Sequence, residues 1–250
     1  MTFVDAAPCS DTSHDEDGDG IGDACDICPA APDPAQRDTT EAATMLAFPD
    51  GVGDACDPRG RLSGDKLGAF QPFADPATSD RWTGTGWTIE NDLARASGTA
   101  SWIAKTREIG DGLYAQARIT QLAWQPTGVF EVILDGDGVN TGLGCAIAKD
   151  RDGDGTDEID AREVGVASMT TSVGMEITGA VKLTSWRIID VMRKGILRCQ
   201  LTFEGGSTML ELPLSEGIAI GFYGFTNLAS TTDVSSIVVY TSPALAGEKE

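Results

Sequence analysis

Residues 15–29 read DEDGDGIGDACDICP, six carboxylates and three glycines in fifteen positions with two cysteines near the end. Acids at alternate positions, followed by glycine, are suited to surrounding a hard cation with oxygen. Calcium takes six to eight oxygen ligands from a tightly bent chain. The familiar loop has acids at positions 1, 3 and 5, glycine at 6, a carbonyl at 7, a further ligand at 9 and an acid at 12. Asp15, Asp17 and Asp19 fall at positions 1, 3 and 5, Gly20 at 6, the Ile21 carbonyl at 7, Asp23 at 9 and Asp26 at 12. A merely solvated acidic linker would rarely keep that register, so the spacing predicts a calcium loop. DRDGDGTDEID at 150–160 repeats the scheme with Asp150, Asp152, Asp154, Gly155, the Thr156 carbonyl and Glu158 at position 9. Its position 12 is Ala161, so a weaker calcium site is expected unless Asp160 or Glu163 swings in. Asp-Gly pairs also make hairpin tips without any metal. DGDGVN at 135–140 is shorter and reads as a turn.

The whole chain shares this bias. Its 250 residues hold 39 Asp and Glu against 18 Lys and Arg, a net charge of −21 and a pI near 4.2. Phosphate backbones are bound by Lys and Arg, so nucleic acid is excluded as a partner, and anionic membrane surfaces are poor ones. A multivalent cation is the natural partner, with simple solubility as the bland reading of the charge. No run of about twenty apolar residues is present, which argues against a transmembrane segment. The opening MTFVDAAPCS has neither the basic nor the apolar region of a leader, and a secreted or cell-surface protein without its leader is expected. Six cysteines stand at 9, 25, 28, 56, 145 and 199, beside the single histidine His14. Zinc would want a second Cys pair or more His, so disulfides are the better reading. Fifteen connectivities are open from the sequence alone.

Two kinds of chain must position these residues. Residues 1–62 carry four of the cysteines and many Asp, Gly and Pro, without apolar periodicity. Such a segment needs metal or disulfide staples to hold a fold. TTEAATMLAF at 39–48 is the one expected helical turn. Residues 63–243 alternate short Val-, Ile-, Thr-, Trp- and Tyr-rich runs with Gly, Asp and Asn turns, among them GLYAQARITQLAW, GVFEVILDG, GILRCQLTFEGG, GIAIGFYGFT and VSSIVVYT. Nine or more strands predict an all-β fold, an antiparallel two-sheet jelly-roll sandwich preceded by an irregular, calcium- and disulfide-stabilised segment. Residues 244–250 read as a disordered tail.

Acid spacing and cysteine spacing agree over residues 9–58. DEDGDGIGDACDICP, then DPAQRD and PDGVGDACD, resembles the thrombospondin type 3 repeat. That resemblance implies a chain without regular secondary structure, wrapped round calcium, with consecutive cysteines paired as Cys9–Cys25 and Cys28–Cys56. It also implies a second loop using Asp38, Asp50, the Val52 carbonyl, Asp54 and Asp57. Leu46 and Phe48 stand where positions 1 and 3 would fall, so about eight residues within 40–49 look inserted, and Glu41 is the candidate substitute ligand.

The second region resembles laminin-G-like and concanavalin-like jelly rolls, through DRWTGTGWTIENDLARASG, GDGLYAQARI and GIAIGFYGFTNLASTTDVSSIVVY. Cys145 and Cys199 lie on apolar strand patterns and suit a bridge between neighbouring strands, with two core thiols as the alternative. Such sandwiches bind carbohydrate or protein, and sugar faces need exposed aromatics. Most of the five tryptophans belong in a core, while Trp124, at a strand end in QLAWQPTG, is the candidate ligand-binding residue. The expected function is extracellular calcium-binding adhesion, or carbohydrate or protein binding, without catalysis. One alternative is a non-binding cell-surface spacer. The other is a retaining glycoside hydrolase of laminarinase type, because EIDARE at 158–163 fits E-x-D-x-x-E. A bulge after Ala161 would bring Glu163 beside Glu158 and Asp160, as acid/base, nucleophile and helper respectively.

Overall fold

The computed structural model describes residues 14–41, 48–136, 141–177, 179–189, 195–215 and 221–243. Cys9, most of the helical turn expected at 39–48, the last four residues of DGDGVN and the 244–250 tail lie outside the described residues. The chain divides into two compact units, residues 1–67 and 68–250.

The described part of the first unit has turns and bends and no strand before Lys66. Backbone N–H groups that find no ladder must find another acceptor. Here aspartates supply it: Asp15, Asp17, Asp19, Asp23, Asp26, Asp33, Asp38, Asp50, Asp54 and Asp57 each accept a main-chain N–H. The Cys28–Cys56 disulfide forms as the repeat resemblance implies, with Cα atoms 5.4 Å apart. Cys25 is also disulfide-bonded. The unit closes where Gly64 and Asp65 donate to Asp50, and where the buried Asp65 pairs with Arg59.

The second unit is an all-β jelly roll of eleven strands: β1 (Lys66–Pro72), β2 (Trp82–Glu90), β3 (Leu93–Ala104), β4 (Gly112–Leu134), β5 (Leu143–Ala148), β6 (Glu158–Glu163), β7 (Ala167–Ser172), β8 (Val181–Ile189), β9 (Gly195–Phe203), β10 (Gly206–Pro213) and β11 (Tyr223–Ser242). Two long strands organise it. The first half of β4 pairs with β8 and its second half with β5, while β11 runs antiparallel along all of β4. One layer is therefore β10-β9-β8-β4-β11, with β1 also paired to β11, and the other β7-β6-β5-β4-β11-β3-β2.

Sequence patterning predicts breaks within both long strands, and the structure has none. QPTG and NLASTTD look like loops, yet the strands continue through them with register shifts near Leu228, Ser230 and Asp233. Thr127 and Ala229 take positive φ at this bend, 66° and 49°. Buried side chains satisfy the polar run, because Ser230 and Thr232 donate to Asn227 Oδ1 at 2.5 and 2.7 Å, and Asn227 donates to the Gly98 carbonyl at 2.7 Å.

The core lies between the layers. Trp82, Trp87 and Trp102 pack there with Phe73, Phe130, Tyr223 and Phe225, Trp82 stacked on Trp102 at 5.7 Å and Trp87 edge-on to Phe225 at 4.7 Å. Cys145 and Cys199 form a disulfide, Cα atoms 5.3 Å apart, but not between neighbouring strands. They sit on β5 and β9, which share no ladder, and both are core residues. The bridge therefore ties one layer to the other. Among the described residues, no helix is long and apolar enough to cross a membrane.

Candidate functional site

Three loops share one hydrogen-bond scheme. In the first, Asp15 accepts from Gly20 N at 2.9 Å, Asp17 from Asp19 N at 3.1 Å and Asp19 from Ile21 N at 2.8 Å. In the second, Asp38 accepts from Gly51 N at 2.8 Å and Asp50 from Val52 N at 3.0 Å, so the inserted residues leave Asp38 at position 1. In the third, Asp150 accepts from Gly155 N at 2.8 Å, Asp152 from Asp154 N at 3.2 Å and Asp154 from Thr156 N at 2.8 Å. The position-6 glycine has φ of 96°, 93° and 87° in the three loops, a region only glycine enters freely.

These bonds gather the acids. Ligand oxygens of Asp15, Asp17 and Asp19 lie within 4.8 Å of one another, as do those of Asp150, Asp152 and Asp154. The second loop makes two such groups that share Glu41, one with Asp38 and Asp54, the other with Asp50 and Asp57.

Position 9 also behaves alike. Asp23 accepts from Glu16 N at 2.9 Å, Asp54 from Thr39 N at 2.8 Å and Glu158 from Arg151 N at 2.9 Å, in each case the residue after position 1. Asp23 is not brought into the first cluster, and its other oxygen pairs with His14 at 2.6 Å. At position 12, one oxygen of Asp26 accepts from Cys28 N and Gln36, and one of Asp57 from Arg59 N. Their second oxygens, with Asp17 Oδ2 and Asp38 Oδ1, are buried without a hydrogen-bond partner.

Burial raises the pKa of several of these groups. Asp17 is pushed up to about 6, first by burial and then by the charges of Asp19, Asp26 and Asp15. Asp57 is pushed up to about 8 by burial and by its contact with Asp65. Asp26 and Asp38 are raised for the same first reason. Asp54 moves the other way, since hydrogen bonds from Thr39 and Thr40 outweigh its burial and hold it at about 2. The oxygen-only donor set, with buried acceptor atoms lacking donors, fits calcium.

EIDARE forms β6 without the expected bulge, since its pairing with β5 and β7 is unbroken in register. Glu158, Asp160 and Arg162 share one face, whereas Ile159, Ala161 and Glu163 point to the other, where Ile159 and Ala161 join the core. Glu163 is tied to Ser215 N at 2.9 Å and Ser215 Oγ at 2.5 Å. Five residues of strand span about 16 Å, against about 5 Å for a retaining pair. The dyad that a hydrolase of this type needs is not assembled by Glu158 and Glu163.

That outward face carries a row which sequence reading missed. Register aligns Thr170, Asp160, Ala146, Glu131, Thr226, Ser101 and Thr85 across seven strands. Arg162 forks onto Glu131, and Arg151 pairs with Asp160 at 2.6 Å. Gly144 permits this, because a Cβ there would sit 1.7 Å from Glu131 Oε1. Beside the row opens a cleft of about 630 Å³, lined in part by Thr83, Ser101, Ile103, Lys105 and Phe222. Only strand register could have revealed this grouping, since its members are scattered from 83 to 226. Trp124, expected to be exposed, is half-buried against the core, with its Nε1 out of solvent. Asp135, read as a turn residue, pairs with the buried Arg187 and accepts from Gly221 N at 2.8 Å.

No family model and no curated protein matches the chain. Solved structures do. A legume lectin-like domain from Entamoeba histolytica aligns with TM-score 0.50 and 13% identity over 68% of this chain and 96% of that one. An immunostimulatory antigen and pseudo β-1,3-glucanase of Mycobacterium tuberculosis aligns with TM-score 0.51 and 13% identity over 70% and 99%. A glycosyl hydrolase family 16 protein from Mycobacterium smegmatis gives 0.50 and 12% over 70% and 100%. The second unit has the fold of lectin-like and glucanase-like jelly rolls. At these identities the likeness concerns the fold alone.

Proposed function

We propose that this protein is an extracellular carbohydrate-binding module whose first unit is a calcium-wrapped segment of the thrombospondin type 3 kind. The observation that carries the binding half is the polar row across seven strands, next to an open cleft on the same face. Sugar hydroxyls are met by carboxylates, hydroxyls and amines; Asp160, Thr226 and Ser101 lie along the row, and Lys105 lines the cleft beside it. The lectin-like and glucanase-like names of the fold neighbours favour the same ligand class. Binding is preferred to hydrolysis because Glu158 and Glu163 lie on opposite faces of β6. For the calcium half, Asp17 Oδ2 and Asp26 Oδ2 are buried without donors beside the Asp15–Asp17–Asp19 cluster. Anionic oxygens in that setting cost several kcal/mol unless a cation pairs with them. In that reading calcium neutralises the cluster, while the chain's own work is to hold the carboxylates in register. Disulfides favour an oxidising compartment.

The test is calorimetric titration of β-glucan and other oligosaccharides into the calcium-saturated full chain, compared with Ser101→Val. Binding by the wild type that falls at least tenfold in Ser101→Val is expected. Silence against every glycan would sink the reading in favour of a spacer. Release of reducing sugar, abolished by Glu158→Gln, would replace it with hydrolysis.

A further inference from the structure

We infer that the β5–β6 hairpin of the sandwich is itself a calcium site, with Glu158 supplying the ligand that its sequence lacks at position 12. The acidic cluster of Asp150, Asp152 and Asp154 would not establish this alone, because such tips are common without metal. The second observation is Glu158. It is 2% exposed, and Oε1 is buried with no hydrogen-bond partner. It is aimed into the loop, since its Oε2 accepts from Arg151 N at 2.9 Å and both the main chain and the carboxylate of Asp152 act on the Glu158 carboxylate.

The three loops explain how one residue can fill two roles. In the first unit, an aspartate at position 9 bonds back to the N–H of position 2, and a separate aspartate at position 12 keeps one buried oxygen without a donor. In the hairpin, position 12 is Ala161, fully buried in the core on the opposite face of β6. It offers no ligand, and β6 cannot turn it outward without reversing the strand's faces. Glutamate at position 9 is one methylene longer than aspartate. Its Oε2 makes the back-bond to position 2, while Oε1 remains as the buried oxygen without a donor. Asp152 and Asp154 each commit one oxygen to the turn, which leaves the other for a cation. The donor set is carboxylates and carbonyls, suited to calcium at a flexible, oxygen-only site. The inference stands apart from the calcium reading of the first unit, and it makes the first acid of EIDARE a metal ligand.

The experiment is a calorimetric calcium count on the chelator-stripped, oxidised full chain, for wild type, Asp154→Asn, Glu158→Gln and the double variant Asp17→Asn, Asp26→Asn. Asp154 is exposed, so its substitution leaves folding intact even where Glu158→Gln does not. One fewer calcium per chain is expected for Asp154→Asn, together with loss of calcium protection of the Arg151–Asp152 bond against trypsin. The double variant should keep that protection whatever becomes of the first unit. A count in Asp154→Asn equal to wild type, or trypsin cleavage at Arg151 indifferent to calcium in the wild type, would overturn the inference.

Discussion

The loops at 15–26 and 150–158 share four hydrogen bonds at matching positions, but in opposite surroundings. The first has no ladder beside it among the described residues, and its backbone is held largely by its own carboxylates and by the Cys28–Cys56 disulfide. The other joins two strands whose register is fixed on both sides, β5 by β4 and β6 by β7. A loop that must make its own structure needs every ligand, and the first keeps an acid at position 12. A loop clamped by a sheet can lose that ligand and recruit a longer side chain from the strand that follows. In the proposed reading, the completeness of each calcium motif follows how much else holds the chain.

The sharpest way to break this comparison is to remove calcium. At a thousand times its dissociation constant, a ligand stabilises the folded state by about 4 kcal/mol per site. Chelation is therefore expected to open the first unit to protease, while the sandwich, held by its ladders, stays folded and loses only the stabilisation of its one hairpin site. Equal loss in both units, followed by limited proteolysis with mass spectrometry, would mean that sheet support makes no difference.

Removing a staple should cost somewhat less. Cys28→Ala with Cys56→Ala releases a crosslink spanning 28 residues, worth about 3.6 kcal/mol. With calcium absent, the first unit of this variant should be cut rapidly in limited proteolysis, read by mass spectrometry. With calcium present it should keep most of its resistance. A variant indifferent to calcium would show that the disulfide, not the metal, carries the unit.

The smallest effect is graded with pH and seen only in chelator. Asp17 at about 6 and Asp57 at about 8 have folded pKa values raised above the ordinary carboxylate range. The folded first unit therefore binds protons more tightly than the unfolded chain, and that stabilisation is lost as pH rises through 6 and then 8. Protease resistance of the chelated unit should accordingly increase from pH 8.5 to pH 5. In calcium the trend should reverse, since protons compete with the metal. A chelated unit that weakens on acidification would contradict the burial of these acids.

Part of the loop geometry was legible because it is local. Asp15, Asp17 and Asp19, like Asp150, Asp152 and Asp154, fall within five residues of chain, so spacing alone predicts that they converge, whereas Asp23 turns to His14 instead. The β-sandwich class followed from alternating patterns punctuated by turn residues. Other features were hidden for definite reasons. NLASTTD looks like a loop because Asn, Ser and Thr favour turns, yet Asn227, Ser230 and Thr232 satisfy one another inside β11. The bulge expected in EIDARE depends on pairing partners that the segment itself does not encode. Trp124 looked exposed at a strand end because β4 was expected to stop there.

The sequence by itself determined which carboxylates could meet in the first and third loops, since alternate spacing with a position-6 glycine lets Asp15, Asp17 and Asp19, and Asp150, Asp152 and Asp154, turn towards one point. Tertiary structure alone decided the rest. Register across seven strands assembled Asp160, Glu131, Thr226, Ser101 and Thr85 into one row, and the packing of Ala161 into the core left Glu158 to face the hairpin. The physical reason is range: loop geometry is set by covalent neighbours, whereas the face a strand presents is set by the apolar side chains it must bury against residues far away in sequence.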